Sequence, residues 1–193
     1  MFLVDNLNKN SEEKMNIEKN DSVELHEKLG MYSHCFKAGK ACIEEDSQVL
    51  TPNGYLLAKN VNIGDVLLTV DPSEINIADL ASGAGIQIRE KVVLAETTVV
   101  KHEIAQKSIV RFNESDTLFS ENQLIFVKDG NVVKHKEAGQ VQVGDILVTL
   151  RIESCEITFE TVETIEELPA KNVYDIRCEP SQWFIAGNNI VIS

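Results

Sequence analysis

At 193 residues, with 31 carboxylates against 18 basic side chains and a formal net charge of −13, the chain can bury one sizeable core and is too acidic for a nucleic-acid-binding surface. No apolar run approaches the ~18 residues of a membrane helix, and the start MFLVDNLNKN has neither a basic end nor a long apolar stretch, so no membrane span and no secretory signal are read. The four cysteines, Cys35, Cys42, Cys155 and Cys178, have neither metal-ligand spacing nor the density of a disulfide scaffold, which fits isolated thiols, a reducing compartment and no cofactor or metal. A complete chain of this kind is expected in the cytoplasm; a fragment could equally come from a secreted precursor.

Two parts are expected, a flanking segment over 1–41 and a domain over 42–193. Asn8 to Lys19 is polar and charged and offers little to a core, so the flank reads as disordered or as a solvated helix. Val23, Leu25 and Leu29 give a weak helical pattern that Gly30 would stop. From Cys42 onward the pattern is β. Runs rich in Val, Ile, Thr and Phe predict strands over 47–50, 65–71, 92–104, 107–113, 117–127, 131–135, 145–153, 156–166, 172–178 and 183–192. Thr51-Pro52-Asn53-Gly54 is a turn with a mechanism, since Pro presets φ and Asn-Gly tolerates φ > 0. Asp129-Gly130 reads as a hairpin, and Ile77 to Ile86 as a loop or short helix.

One stretch occurs twice. Ala58-Lys-Asn-Val-Asn-Ile-Gly-Asp-Val-Leu-Leu-Thr-Val70 returns as Ala138-Gly-Gln-Val-Gln-Val-Gly-Asp-Ile-Leu-Val-Thr-Leu150, with six positions identical. Two copies are too few for a solenoid. They read as two related β subdomains packed about a pseudo-twofold axis, the plainer account being a recurrent turn-to-strand signal. In each copy the Gly supplies an unusual φ and the Asp can bond the turn backbone.

Cys42, Asp46, Val49, Gly54-Tyr55 and Ile63-Gly64-Asp65-Val66-Leu67 follow one another in the order and spacing that open a Hint domain, the fold shared by inteins and the autoprocessing part of hedgehog proteins, which this chain resembles over 42–193. The resemblance implies an all-β Hint fold, with two pseudo-twofold-related subdomains forming a flattened horseshoe. It also implies that Cys42 is a nucleophile that attacks the carbonyl of Ala41, turning an amide into a thioester. A free Cys, with a pKa near ~8.5, is only a few per cent thiolate at neutral pH. The plain alternative for Cys42 is a buried small hydrophobe. Cys35-Phe36 is a rival first residue, but it lies seven residues too far from the strand signal.

The family's second block, L-x-T-x-N-H, is matched by Leu118-Phe119-Ser120-Glu121-Asn122-Gln123. Ser120 keeps the hydroxyl and Asn122 is retained. Gln123 stands where the family has the His that protonates the departing nitrogen, and an amide cannot give or take a proton near pH 7. The third block runs through Val173-Tyr174-Asp175 to Ser193. There Asp175 matches the Asp that assists the thiol, while Gln182, Ile192 and Ser193 replace a His, the penultimate His and the terminal Asn. With no terminal carboxamide to cyclise, splicing is not expected, and Cys42 is expected beside the strand ending at Ser193. His102 and His135 are proton donors only from positions outside the matched blocks. The implied partners are the chain's own upstream flank as substrate and a small thiol or hydroxyl nucleophile. The competing reading is a catalytically silent Hint fold kept as a structural or interaction module.

Overall fold

The structure, a computed structural model, describes residues 42–71, 73, 85–87 and 89–192. The chain divides into two units, Met1–Lys37 and Ala38–Ser193, and every described residue belongs to the second. The helical pattern read at Val23–Leu29 and most of the stretch read as a loop at Ile77–Ile86 lie outside the described residues.

The described chain is built of strands, joined by single 3-10 turns at Ala58–Asn60 and Ala138–Gln140. In chain order they are β1 (Ile43–Glu44), β2 (Gln48–Thr51), β3 (Gly54–Leu57), β4 (Val66–Val70), β5 (Leu94–Phe112), β6 (Phe119–Ser120), β7 (Leu124–Asp129), β8 (Val132–Glu137), β9 (Ile146–Arg151), β10 (Glu156–Thr161), β11 (Ile165–Glu179), β12 (Trp183–Ala186) and β13 (Asn189–Ile192). One sheet runs β11-β1-β6-β5-β4, closed by pairing of β11 with β5, and the other runs β10-β9-β7-β13-β12-β2-β3 with β8 on β7.

Several expected strands change their bounds. The segments 92–104 and 107–113 are one 19-residue strand, β5, which pairs with β11 along most of its length. The polar stretch between them broke the apolar pattern because this two-stranded ribbon is largely exposed on both faces. The expected run 117–127 is cut by the turn at Glu121-Asn122-Gln123, and 156–166 is cut between β10 and β11. Asn113 makes that second corner: its Oδ1 accepts the N–H groups of Glu163 and Thr164 at 2.7 and 3.1 Å. The expected strand 183–192 is a hairpin, and β1 and β3 were not foreseen. The turn read at Thr51–Gly54 closes a two-residue hairpin at Pro52-Asn53, and the hairpin read at Asp129-Gly130 turns one residue later, at Gly130-Asn131.

The two copies of the repeat lie in different sheets, on β4 and β9, and their turns match bond for bond. Gly64 and Gly144 have φ of 96° and 95°. Their N–H groups donate to Val99 and Val162 at 2.8 Å each. Asp65 Oδ2 accepts the Asn62 N–H at 2.7 Å and Asp145 Oδ2 accepts the Gln142 N–H at 2.8 Å. Burial alone would push the Asp145 carboxyl up, but the Lys136 ammonium and the Gln142 N–H hold it below its usual range. The correspondence extends upstream: Ala58 N–H donates to Ser47 and Ala138 N–H to Gln123, both at 2.8 Å.

The pseudo-dyad passes between β1 and β6, which pair antiparallel. Ile43 faces Phe119, both fully buried. On either side of them Ser120 N–H donates to the Cys42 carbonyl at 2.9 Å, and Glu44 N–H to the Leu118 carbonyl at 3.1 Å. The operation therefore exchanges Cys42 with Leu118, Glu44 with Ser120, and Ser47 with Gln123. Ile43 and Phe119 join one core with Val49, Leu67, Ile125, Leu147, Ile176 and Phe184, drawn from both sheets. Full burial of such side chains is worth about 1.5–3 kcal/mol each.

A methyl group added at Gly64 or Gly144 meets nothing within 4 Å, so only backbone strain opposes it. Gly64→Ala and Gly144→Ala are each expected to cost about 1–3 kcal/mol, and because the turns match, the two losses should agree closely. Thermal melts of both variants check this, and a loss at one turn alone would mean that the turns are not equivalent.

Candidate active site

Cys42 immediately precedes β1, the shortest strand of the fold along with β6, and is held from two sides. Its carbonyl accepts from Ser120, as above, and its own N–H donates to Ser120 Oγ at 3.1 Å. Its side chain is 1% exposed and packs with Ile109, Leu118 and Val173, with Ala105 and Leu168 behind. Ser120 is fully buried, and its hydroxyl donates to Asn122 Oδ1 at 3.0 Å. The same oxygen accepts the Lys107 ammonium at 3.0 Å. Asn122 also borders an open groove of about 820 Å³ that carries Glu121, Glu137 and Glu167 on its walls.

Asp175 comes to the site through strand register. Ile43 pairs with Tyr174 and Glu44 with Val173. One further step sets Cys42 opposite Asp175, where antiparallel partners stand about 4.5–5.5 Å apart at Cα. Val173, which touches Cys42, and Asp175 share a face because strand side chains alternate. The Asp175 carboxylate is buried and holds Lys101 at 3.0 Å and Arg177 at 3.6 Å. Hydrogen bonds to Glu103 and Asp175 in turn push the Lys101 ammonium above its usual value.

Gln123 is buried, with Nε2 donating to the Leu124 carbonyl at 3.0 Å. The pseudo-dyad relates it to Ser47, whose hydroxyl accepts the Leu118 N–H at 2.9 Å. Leu118 is the counterpart of Cys42, so position 123 answers to a side chain that reaches the strand amide on the other half. The five residues singled out in the sequence thus converge on β1, β6, the turn after β6, and β11.

Other expectations fall elsewhere. β1 lies between β11 and β6, while β13 pairs with β12, β7 and β9, so the strand leading to Ser193 is not the sheet neighbour of Cys42. Ser193 itself lies outside the described residues. His102 is a structural side chain: Nε2 lies 3.0 Å from the Ala58 carbonyl and the ring stacks on Tyr174 at 4.5 Å. His135 sits on β8, in the other sheet, and burial pushes its imidazole down. Glu44, Glu45 and Asp46 bring their oxygens within 4.8 Å of one another, but Lys171, Asn172 and Lys59 engage them.

Lys101 and Lys107 were not legible in the sequence. Neither belongs to a recognisable motif. Only the β5–β11 register, which pairs Lys107 with Lys171 and brings Lys101 beside Asp175, brings them to the site.

No protein-family profile matches the sequence, and no curated protein matches it. Solved structures do. The chain is similar to a DnaB intein from Synechocystis sp. PCC 6803, with 14% identity, a TM-score of 0.57, and coverage of 79% of this chain and 98% of that one. It is also similar to the gp41-1 intein, at 16% identity and a TM-score of 0.54, covering 80% of this chain and 100% of that one. The bacterial intein-like domain from Clostridium thermocellum matches at 17% identity and 0.54, over 78% of this chain and 96% of that one. This is an all-β Hint fold. Among the described residues no helix is long and apolar enough to cross a membrane.

Among the described thiols, burial raises Cys178 to about 12, whereas Cys155 is only half-buried. Alkylation with iodoacetamide at pH 8 should therefore modify Cys155 in the folded protein and leave Cys178 intact until denaturant is added. Peptide mass mapping reads the order, and early labelling of Cys178 would contradict its burial.

Proposed function

We propose that this is an autoprocessing domain in which Cys42 cleaves the chain after Ala41. The observation that carries this reading is the hydrogen bond from the Cys42 N–H to the buried Ser120 hydroxyl at 3.1 Å. The nitrogen it engages belongs to the bond that would break. In the acyl shift, Cys42 Sγ bonds to the Ala41 carbonyl carbon and the carbon–nitrogen bond opens. The thiol proton is transferred, overall, to the nitrogen, so amide and thioester are isomers and no water is consumed. Asp175, on the Cys42 face of β11, is the residue suited to assist the thiol.

The substrate is then the upstream flank of the same chain, and a small external nucleophile resolves the thioester. The carboxylates along the groove at Asn122 favour a neutral nucleophile over an anionic one. Splicing is not part of this reading, because Ile192 and Ser193 offer no imidazole and no side-chain amide.

A silent Hint module is the second reading. What favours it is Gln123, a side chain without a transferable proton whose Nε2 is committed to the Leu124 carbonyl. A placed general acid is worth about 10²–10⁴ in rate. Gln123→His is therefore expected to increase scission after Ala41 in hydroxylamine or dithiothreitol by part of that factor, and adding Cys42→Ala should abolish the gain. Intact mass over a day distinguishes the readings: three folded proteins without scission would leave the silent module standing.

The same sequence features predict the fate of the other end. A reporter fused after Ser193 should remain attached under those conditions. Its release with Cys42 unmodified would require a second reaction that this reading lacks.

A further inference from the structure

The hydrogen bonds around the Cys42 amide run in one direction. Cys42 N–H donates to Ser120 Oγ at 3.1 Å, and the Ser120 hydroxyl donates onward to Asn122 Oδ1 at 3.0 Å. Neither Ser nor Asn fixes that direction. A hydroxyl donates or accepts as it rotates, and a carboxamide offers oxygen on one side and NH₂ on the other. Lys107 is different. An ammonium has three donors and no acceptor, so the Asn122 atom it meets at 3.0 Å must be the oxygen.

We propose that Lys107 is a positioning residue that sets the polarity of this relay, holding the Ser120 lone pairs toward the Cys42 nitrogen. With Asn122 Oδ1 pinned between Lys107 and Ser120, the serine proton is committed to Asn122. Its oxygen is then a stronger acceptor for the Cys42 N–H, because a hydroxyl that donates accepts better. Were the carboxamide reversed, its NH₂ would oppose the ammonium and compete with Cys42 for the serine oxygen. The inference rests on the autoprocessing reading in one respect only, the identity of the bond whose nitrogen is held. Within that reading, the same lone pair accepts the amine that the acyl shift produces. Ser120 is then an acceptor throughout, and the proton reaching the nitrogen comes by another route.

The pseudo-dyad gives a contrast within the molecule. Lys171 is the strand partner of Lys107 and bonds Glu44, the counterpart of Ser120, at 3.2 Å. A carboxylate can only accept, so polarity on that half needs no lysine to define it. There the Leu118 N–H, counterpart of the Cys42 N–H, turns to the Ser47 hydroxyl.

The test uses this chemistry. Asn122→Asp supplies oxygen on both sides and cannot be reversed, so it should make Lys107 dispensable for polarity. Amide hydrogen exchange at Cys42 reads the hydrogen bond without requiring any cleavage. Lys107→Met is expected to reduce protection at Cys42 by about three- to tenfold, the range for one hydrogen bond. The amides of Val110 and Phe119 should hold, Lys107→Arg should behave as wild type, and Lys107→Met/Asn122→Asp should regain the protection. In the Gln123→His background, hydroxylamine cleavage should follow the same order.

A Lys107 needed for its charge alone would give the opposite result in the double variant, where a half-buried carboxylate loses its cation. Unchanged protection in Lys107→Met, a loss shared equally by Val110 and Phe119, or no recovery in the double variant would overturn the proposal. Absence of cleavage throughout, with the exchange pattern as expected, would remove the autoprocessing reading and leave the relay standing.

Discussion

The antiparallel pairing of two very short strands is the constraint on which the rest of the domain depends. β1 and β6 contribute two residues each, yet they carry the pseudo-dyad, the Ile43–Phe119 contact and both backbone bonds of the candidate nucleophile. Strands this short have little pairing energy of their own. They are fixed by β11 on one side and β5 on the other, and those two long strands pair with each other beyond them. The site is therefore the place where the two halves of the repeat meet. Chemistry there can be asymmetric because the dyad sets Leu118 against Cys42 and Glu44 against Ser120.

Much of this was legible in the sequence where a local rule sufficed. The Gly-Asp pairs at 64–65 and 144–145 specify the same turn twice, through a positive φ and a carboxylate that caps the turn amide. The hairpins at Pro52-Asn53 and Gly130-Asn131 follow from turn chemistry alone. What failed was anything set by distant contacts. Two-residue strands have no periodicity to read. The corner between β10 and β11 consists of Val162, Glu163 and Thr164, which have strand-like composition, and an asparagine about fifty residues upstream makes the bend.

The candidate site divides in the same way. Cys42, Ser120, Asn122, Gln123 and Asp175 were found because each sits in a block whose order and spacing resemble a family pattern, and the fold gathers those blocks. The lysines were invisible because no spacing rule links residue 107 to 122 or residue 101 to 175. Their roles depend on the register of a ribbon that is polar along its middle. The pairing partner of the Cys42 strand was unreadable for a related reason: β13 hydrogen-bonds within the other sheet, and the strand neighbour is β11.

The order in which these strands leave the ribosome has a consequence of its own. β1 is the first of the described strands to be synthesised, but one of its two partners, β11, ends only at Glu179. Closing a loop of more than a hundred residues is entropically costly, and pairings so distant in sequence form late. Until β11 has been made, Cys42 is therefore an ordinary cysteine in an unfinished chain, with Asp175 absent. The geometry around its amide is completed only as β11 docks, so any cleavage is timed by the completion of folding rather than by the appearance of the thiol.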